Sequence, residues 1–275
     1  MKKLFLLFFT VMLVLMFPGC TKSNDGNGRL VVKVTDAPFP IDMVQSATVT
    51  ISKVELRKEG DGINDGSPFL TVWEGSATFN LLELRNGLVE QLMDVTIPQG
   101  NYDLVRLYVD EAGLKIKDGG DYDVKVPSGP QTGIKIFIDP VLSVEGGLTS
   151  ELLLDIDLSK SFVLRGNADS PAGIIGFIFK PVIRAVNSST AGSLEGLVTD
   201  SNKAAIAGAS ISVKQGDNEV VTGITDDNGH YVIPGVTSGT YSVSASKENF
   251  QTVTTSDVKI VAGNKTVLDF VLSPL

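Results

Sequence analysis

The sequence predicts an all-β protein: two β-sandwich-type domains in series behind an N-terminal targeting segment, with short helical turns in the first domain. Three observations predict it. Apolar and polar residues alternate with period two in nearly every segment from Arg29 onward, as half-buried strands require. Turn-forming residues recur about every dozen positions, too closely for strand–helix–strand units. A small, polar stretch from Asn187 to Ser193 divides the alternating region into a longer and a shorter part.

The chain opens "MKKLFLLFFTVMLVLMFPGC". Lys2 and Lys3 precede an apolar run from Leu4 to Phe17, interrupted only by Thr10. The run is shorter than the about 20 residues a spanning helix needs, and it has the layout of a secretory signal over residues 1–19. Gly19 is the small residue before the cut. The lone cysteine of the chain, Cys20, follows at once. This string resembles a bacterial lipobox, which implies cleavage before Cys20 and lipid attachment to its thiol. Several acyl chains hold firmly, because each buried CH₂ contributes about 0.8 kcal/mol. The expectation is a lipoprotein of the cell envelope, anchored to the membrane through its N-terminal lipid, in the outer membrane facing outside or the periplasm. Residues 20–28 then serve as a Gly/Asn-rich tether.

The first domain is expected over residues 29–187. "RLVVKVTDAP" and "SATVTISKVELRKEG" alternate as strands, and "DGINDGSP" is a loop of turn formers. "FLTVWEG" and "ATFNLL" resume strand. Leu81, Leu84, Leu88 and Leu92 then fall at helical spacing, broken at Asn86-Gly87. They predict one or two helical turns capping a sheet end, with a partner groove as the alternative. "NYDLVRLYVDEAGLKIK", "DYDVKVP", "TGIKIFI", "SELLLDIDLSKSFVL" and "GFIFKPVIRAV" supply further strands. Residues 188–193 read as a linker. Residues 194–275 hold about seven short strands, the number of an immunoglobulin-like sandwich. Within them Asn228-Gly229 predicts a tight hairpin with positive φ at both central residues.

Composition excludes several functions. The formal net charge is −9, and it becomes two units more negative once Lys2 and Lys3 leave with the signal. No long basic run is present, so nucleic acid is not an expected partner. A single histidine, His230, and a single cysteine leave no zinc cluster to build. HExxH, GxSxG and P-loop strings are absent. His230 follows a turn and reads as a solvent-facing strand residue. Ser244 and Lys247 match a serine–lysine spacing that needs a helix, but their stretch alternates like a strand. No cofactor is expected.

Two constellations remain as candidates, and a third fails. Asp155 and Asp157 stand two apart in "LLLDIDLSK" and so share one strand face. With Asp139 or Glu151 they suit calcium; as paired acids they suit glycoside chemistry; as a solvated face they do neither. "DGINDGSP" fails as a calcium loop, because Ile63 and Val72 occupy positions that require oxygen ligands. Trp73, with Tyr102 or Tyr108, forms a candidate carbohydrate-binding platform, set against the alternative that such large aromatics are core.

The strings "GLVTD", "GASISV", "TDDNGHYVIPGVTSGTYSVSASKENF" and "VLDFVL" resemble the carboxypeptidase regulatory-like domain. That resemblance implies a transthyretin-like, starch-binding-like sandwich used as a non-catalytic accessory module. The strings "VKVTDAP", "VTISKVEL", "FNLLEL", "LMDVTIPQGNYDLVRLYV", "PSGPQTGIKI", "LLLDIDLSKSFV" and "FKPVIR" resemble the domain-of-unknown-function family numbered 4382. It implies an all-β lipoprotein domain and offers no catalytic residues. The expected function is a non-enzymatic cell-surface module that binds or displays, with carbohydrate or a surface protein as partner. The alternatives are a structural adhesion spacer and a carboxylate-dependent hydrolase.

Overall fold

A computed structural model describes residues 26–37, 44–60, 69–117, 119–124, 126, 129–167 and 173–275. The signal, Cys20, most of the tether and the loop 61–68 lie outside the described residues. The chain is all-β, as its alternation predicts.

The first domain contains β1 (Asn27–Ala37), β2 (Val44–Lys58), β3 (Leu70–Asn80), β4 (Glu90–Pro98), β5 (Gly100–Ile116) and β6 (Asp121–Val124). It continues with β7 (Ile134–Val144), β8 (Thr149–Asp157), β9 (Phe162–Gly166), β10 (Ile174–Phe179) and β11 (Ile183–Asn187). A nine-stranded sheet runs in the order β3-β2-β5-β7-β11-β8-β1-β4, with β6 beside β5, and β9 pairs with β10 separately. The sheet has a seam. β7 and β11 meet only at Ile138 and Ala185, so the strands on either side fold over one another around a single core. Alternation sets that core: Leu30, Val32 and Val34 of β1, Leu152, Leu154 and Ile156 of β8, and Ile51, Val54 and Leu56 of β2 face inward.

The leucine run resolves differently from its spacing. Only Leu81–Leu84 forms a helical turn, of 3₁₀ type, and its Leu81 and Leu84 are buried. Leu92 belongs to β4, and Leu88 is 61 % exposed. The positive φ of Asn86 and Gly87 ends the turn before a second one can form. The turn caps the core end, with the Thr35 hydroxyl donating to the carbonyls of Leu84 and Leu88.

The second domain contains β12 (Ala191–Asp200), β13 (Ser210–Gln215), β14 (Asn218–Ile224), β15 (His230–Thr237), β16 (Gly239–Ser246), β17 (Val253–Ile260), β18 (Lys265–Val267) and β19 (Phe270–Leu272). β15, β12, β18 and β19 make one sheet layer, and β14-β13-β16-β17 makes the other. Tyr231, Ile211, Val243 and Leu194 fill the space between them. The last predicted strand is two pieces, both parallel to β12. Gly196 permits this, because a Cβ there would lie 1.9 Å from the Leu268 carbonyl oxygen.

Two expectations are corrected here. Asn228-Gly229 does not make a hairpin, because β14 and β15 belong to different sheets. Only Gly229 has positive φ, and the turn is closed by the Gly229 N–H on the Asp226 carbonyl. The Asp226 carboxylate accepts from the N–H groups of Asn228 and His230, which replaces a two-residue type I′ geometry with an Asx-type turn. Residues 188–193 are not a free linker either. Ser188–Thr190 is a 3₁₀ turn held by the Asn187 side chain, and β12 begins at Ala191.

The domains dock directly. Leu153, Val186 and Ala191 form a small apolar cluster at the joint. Arg184 donates to the Gly235 carbonyl at 2.7 Å. The Asn86 side chain accepts from the Val232 N–H at 2.5 Å, and Lys160 pairs with Glu219 at 3.1 Å.

Candidate functional site

The strands β2, β5 and β7 turn a charged and aromatic face away from the core. Register explains its contents: Lys53 lies opposite Tyr108, Glu55 opposite Arg106 and Arg57 opposite Leu104. On the far side of β5, Lys135 is opposite Arg106 and Phe137 is opposite Leu104. Directly opposed residues share a face in an antiparallel pair, so these side chains form one layer.

Glu55 sits at its centre, 7 % exposed. It accepts from Tyr108 at 3.1 Å, Arg106 at 3.2 Å and Thr71 at 3.4 Å, and Lys53 lies 3.0 Å away. Burial pushes its carboxyl up, but the bonds from Lys53 and Tyr108 and the charges of Lys53 and Arg106 outweigh burial and hold it below the ordinary value. The hydrogen bond to Glu55, above all, raises Lys53 in turn. Arg106 stacks on Phe69 at 3.4 Å from the ring centre, and Lys53 caps Tyr108 at 4.1 Å. The Arg106 Nε is buried without a hydrogen-bond partner. Next along the face, Arg57 holds Asp103 through two bonds of 2.8 and 2.9 Å, with Phe137 beside it and 63 % exposed.

The predicted aromatic platform does not assemble. Tyr102 is fully buried and donates to the Pro98 carbonyl. Trp73 lies opposite Val54 and packs against the core. Tyr108 is on the other side of the sheet, beneath Lys53. Period-two alternation puts Trp73 and Tyr108 on opposite faces, so they cannot present one surface. Sequence reasoning missed Glu55, Arg57, Arg106, Phe69 and Phe137. The signal was there in the charges spaced by two in "KVELRK".

The predicted acidic pair also separates. Asp155 is buried and bonded to Arg184 at 2.7 Å, its cross-strand neighbour. Asp157 caps the short helix Leu158–Ser161, accepting from the Lys160 N–H and the Ser159 hydroxyl, and pairs with Lys160. Neither is a solvated face, and no third carboxylate joins them. Glu151 is taken by Lys33. Among the described residues no three His, Cys, Asp or Glu side chains are placed to hold a metal ion. Another acid lies on the neighbouring strand: Asp36, at the end of β1, is opposite Ile156 in the parallel pairing with β8 and so on the other face of the sheet from Asp155. Its Oδ1 accepts from the Leu158 N–H at 3.1 Å. Burial, reinforced by Asp155 and Asp157, pushes its carboxyl up to about 9. His230 is exposed, and Lys247 donates to the Gly208 carbonyl, apart from any serine chemistry. No helix among the described residues is long and apolar enough to cross a membrane.

Two family models match. Residues 27–181 match a domain of unknown function (DUF4382), and residues 193–273 match the carboxypeptidase regulatory-like domain. Neither is a model of a catalytic family. No curated protein matches the chain. Solved structures with some likeness include a candidate carbohydrate-binding protein from Bacteroides uniformis, 22 % identical with a TM-score of 0.27, covering 30 % of this chain and 41 % of that one. A 3-chlorocatechol 1,2-dioxygenase from Rhodococcus opacus is 13 % identical with a TM-score of 0.24, covering 32 % and 61 %. The minor pilin GBS52 of Streptococcus agalactiae is 11 % identical with a TM-score of 0.25, covering 90 % and 96 %. The chain thus spans less than two thirds of the first two. Likeness at these scores carries no functional weight.

Proposed function

The chain belongs to the DUF4382 family, with a carboxypeptidase regulatory-like domain behind it, and on that premise we propose that it is a non-catalytic surface module presenting the β2–β5–β7 face to carbohydrate. The observation that carries this reading is the composition of that face. An exposed ring, Phe137, sits beside a fixed array of guanidinium and carboxylate groups. A sugar offers an apolar ring face to an aromatic and hydroxyls to such polar groups, and ordered polar groups around an aromatic give orientation as well as affinity. Lipid attachment at Cys20 belongs to the same reading. It would hold the module on the cell envelope, at the outer membrane.

The test uses the soluble chain from residue 26 on a glycan array, beside Phe137→Ala and Lys135→Ala. Phe137→Ala is expected to weaken the hits at least tenfold. An array without hits above background, or hits indifferent to both substitutions, would remove the sugar reading. The mass of the mature N-terminus tests the anchor; an unmodified thiol at Cys20 would end it.

The spacer reading draws on one observation, the direct docking of the two domains through Arg184 and Asn86. Deleting the second domain is no clean test of it, because deletion would uncover Leu153, Val186 and Asp155. Lengthening the 188–190 turn with inserted glycines is the better one. A pure spacer tolerates the insertion, whereas a jointly built module loses binding.

A further inference from the structure

The β2–β5–β7 face carries an uncompensated repulsion. Lys135 of β7 stands directly opposite Arg106 of β5. Directly opposed residues of an antiparallel pair have Cβ atoms about 4.5–5.5 Å apart, and like charges so placed destabilise the sheet. The other cations of the face have acids: Lys53 and Arg106 share Glu55, and Arg57 holds Asp103. Lys135 is exposed and has no ion pair among the described residues. The row Lys135–Arg106–Glu55 therefore holds two cations and one carboxylate.

Arg106 is fixed in place with donors left over. Its guanidinium stacks on Phe69, and its Nη1 donates to Glu55. Gly133, at φ +66°, presses on its stem so closely that a Cβ there would lie 2.6 Å from the Arg106 Cγ. The Nη2 has no hydrogen-bond partner among the described residues. A side chain already held in this way loses little freedom when it binds something.

Phe137 completes the arrangement. It lies two residues from Lys135 on the same face of β7, about 6–7 Å along the strand. Two residues past it on that face is Asp139, exposed and of opposite charge. The ring thus has a cationic side and an anionic side, which orients whatever lies on it. Glu74, opposite Lys53, stands at the far edge of the face on β3.

Resting on the carbohydrate reading of this face, we propose that the sugar it binds is an acidic one, with its ring on Phe137 and its carboxylate or sulfate held between Lys135 Nζ and Arg106 Nη2. The anion ends the repulsion between the two cations. A planar guanidinium suits such oxyanions, and charge-assisted hydrogen bonds are the stronger ones. The attraction is local. The chain as a whole has a formal net charge of −9, but screening confines charge effects to about 8 Å at physiological ionic strength.

The test titrates the mature chain by calorimetry with a galacturonate oligomer, the same oligomer as its uncharged methyl ester, a sulfated galactan oligomer and a poly-glutamate peptide. At least one acidic oligomer is expected to bind tenfold or more tighter than the ester, and the two acidic arms say which acid group the site takes. Lys135→Gln is expected to erase that advantage while leaving the ester's affinity as it was. Its Tm should not fall, since the substitution relieves the opposition to Arg106. Acidic oligomers that bind no tighter than the ester would overturn the proposal. With hits on the glycan array confined to neutral sugars, the carbohydrate reading would still stand; an array without hits removes both. An acidic preference that survives Lys135→Gln, or poly-glutamate binding as tight as that of the acidic sugars, would also overturn it.

Discussion

Glu55 and Asp36 are buried to nearly the same degree, 7 % and 5 % exposed, yet they settle in opposite states. Glu55, on the outer face of the first domain, collects donors from four side chains and stays below its ordinary pKa. Asp36, at the joint between the domains, has one backbone N–H and two neighbouring acids, and is raised to about 9. Burial does not set the state of a carboxylate; the supply of donors and positive charge does. The outer face supplies its acid with cations, whereas Asp36 has an ion pair with none among the described residues.

The strongest way to break the contrast is to take positive charge from the joint. Arg184→Met removes the partner of Asp155 and the bond to Gly235, leaving a buried carboxylate alone. A loss of about 3–5 kcal/mol is expected, read from the urea midpoint. Next comes pH. Between about 4 and about 9 the folded chain carries a proton on Asp36 that the unfolded chain has released. Stability from this group is complete below its unfolded pKa and is lost as pH rises toward about 9. The slope approaches 1.4 kcal/mol per pH unit, so up to about 3 kcal/mol should disappear between pH 5 and 7. Asp36→Asn should flatten that dependence in denaturation curves taken at both pH values.

Glu55 has the opposite sign. Its contribution is present above the unfolded carboxylate value and is lost as pH falls through its lowered folded value. Glu55→Gln at pH 7 should therefore destabilise by about 2 kcal/mol, since it strips charge from the bonds of Lys53 and Arg106, and the loss should vanish in acid. The smallest effect is expected at the joint's edge. Asn86→Gly keeps the positive φ but removes the acceptor of the Val232 N–H, at about 1 kcal/mol by chemical denaturation.

Much of the fold was legible in the sequence because alternation is a local property. "RLVVKV" and "LLLDID" each announce a strand with one face inward. What was not legible depends on which strands become neighbours. Spacing pairs Asp155 with Asp157, but the strand end turns into a helix cap at Asp157, and Asp155 is taken by Arg184, which arrives on β11. Trp73 and Tyr108 looked like one platform until cross-strand register set them on opposite faces. The hairpin at Asn228-Gly229 failed for the same reason, since a turn sequence does not say whether its strands remain in one sheet. The residues of the outer face were written plainly in "KVELRK", with charges at every second position. Their significance needed β5 and β7 alongside.

β1 has a mechanical consequence. It is flanked on both sides, registered with β4 from Asn27 to Val34 and with β8 from Arg29 to Ala37. A pull on the chain ahead of Asn27 runs along the strand axis and meets both ladders in shear, so their bonds share the load instead of unzipping in turn. The second domain follows β11 in the chain and docks through Arg184, Asn86 and Lys160, none of them on β1. Tension at the N-terminus is thus met first by the two ladders of β1, within the first domain.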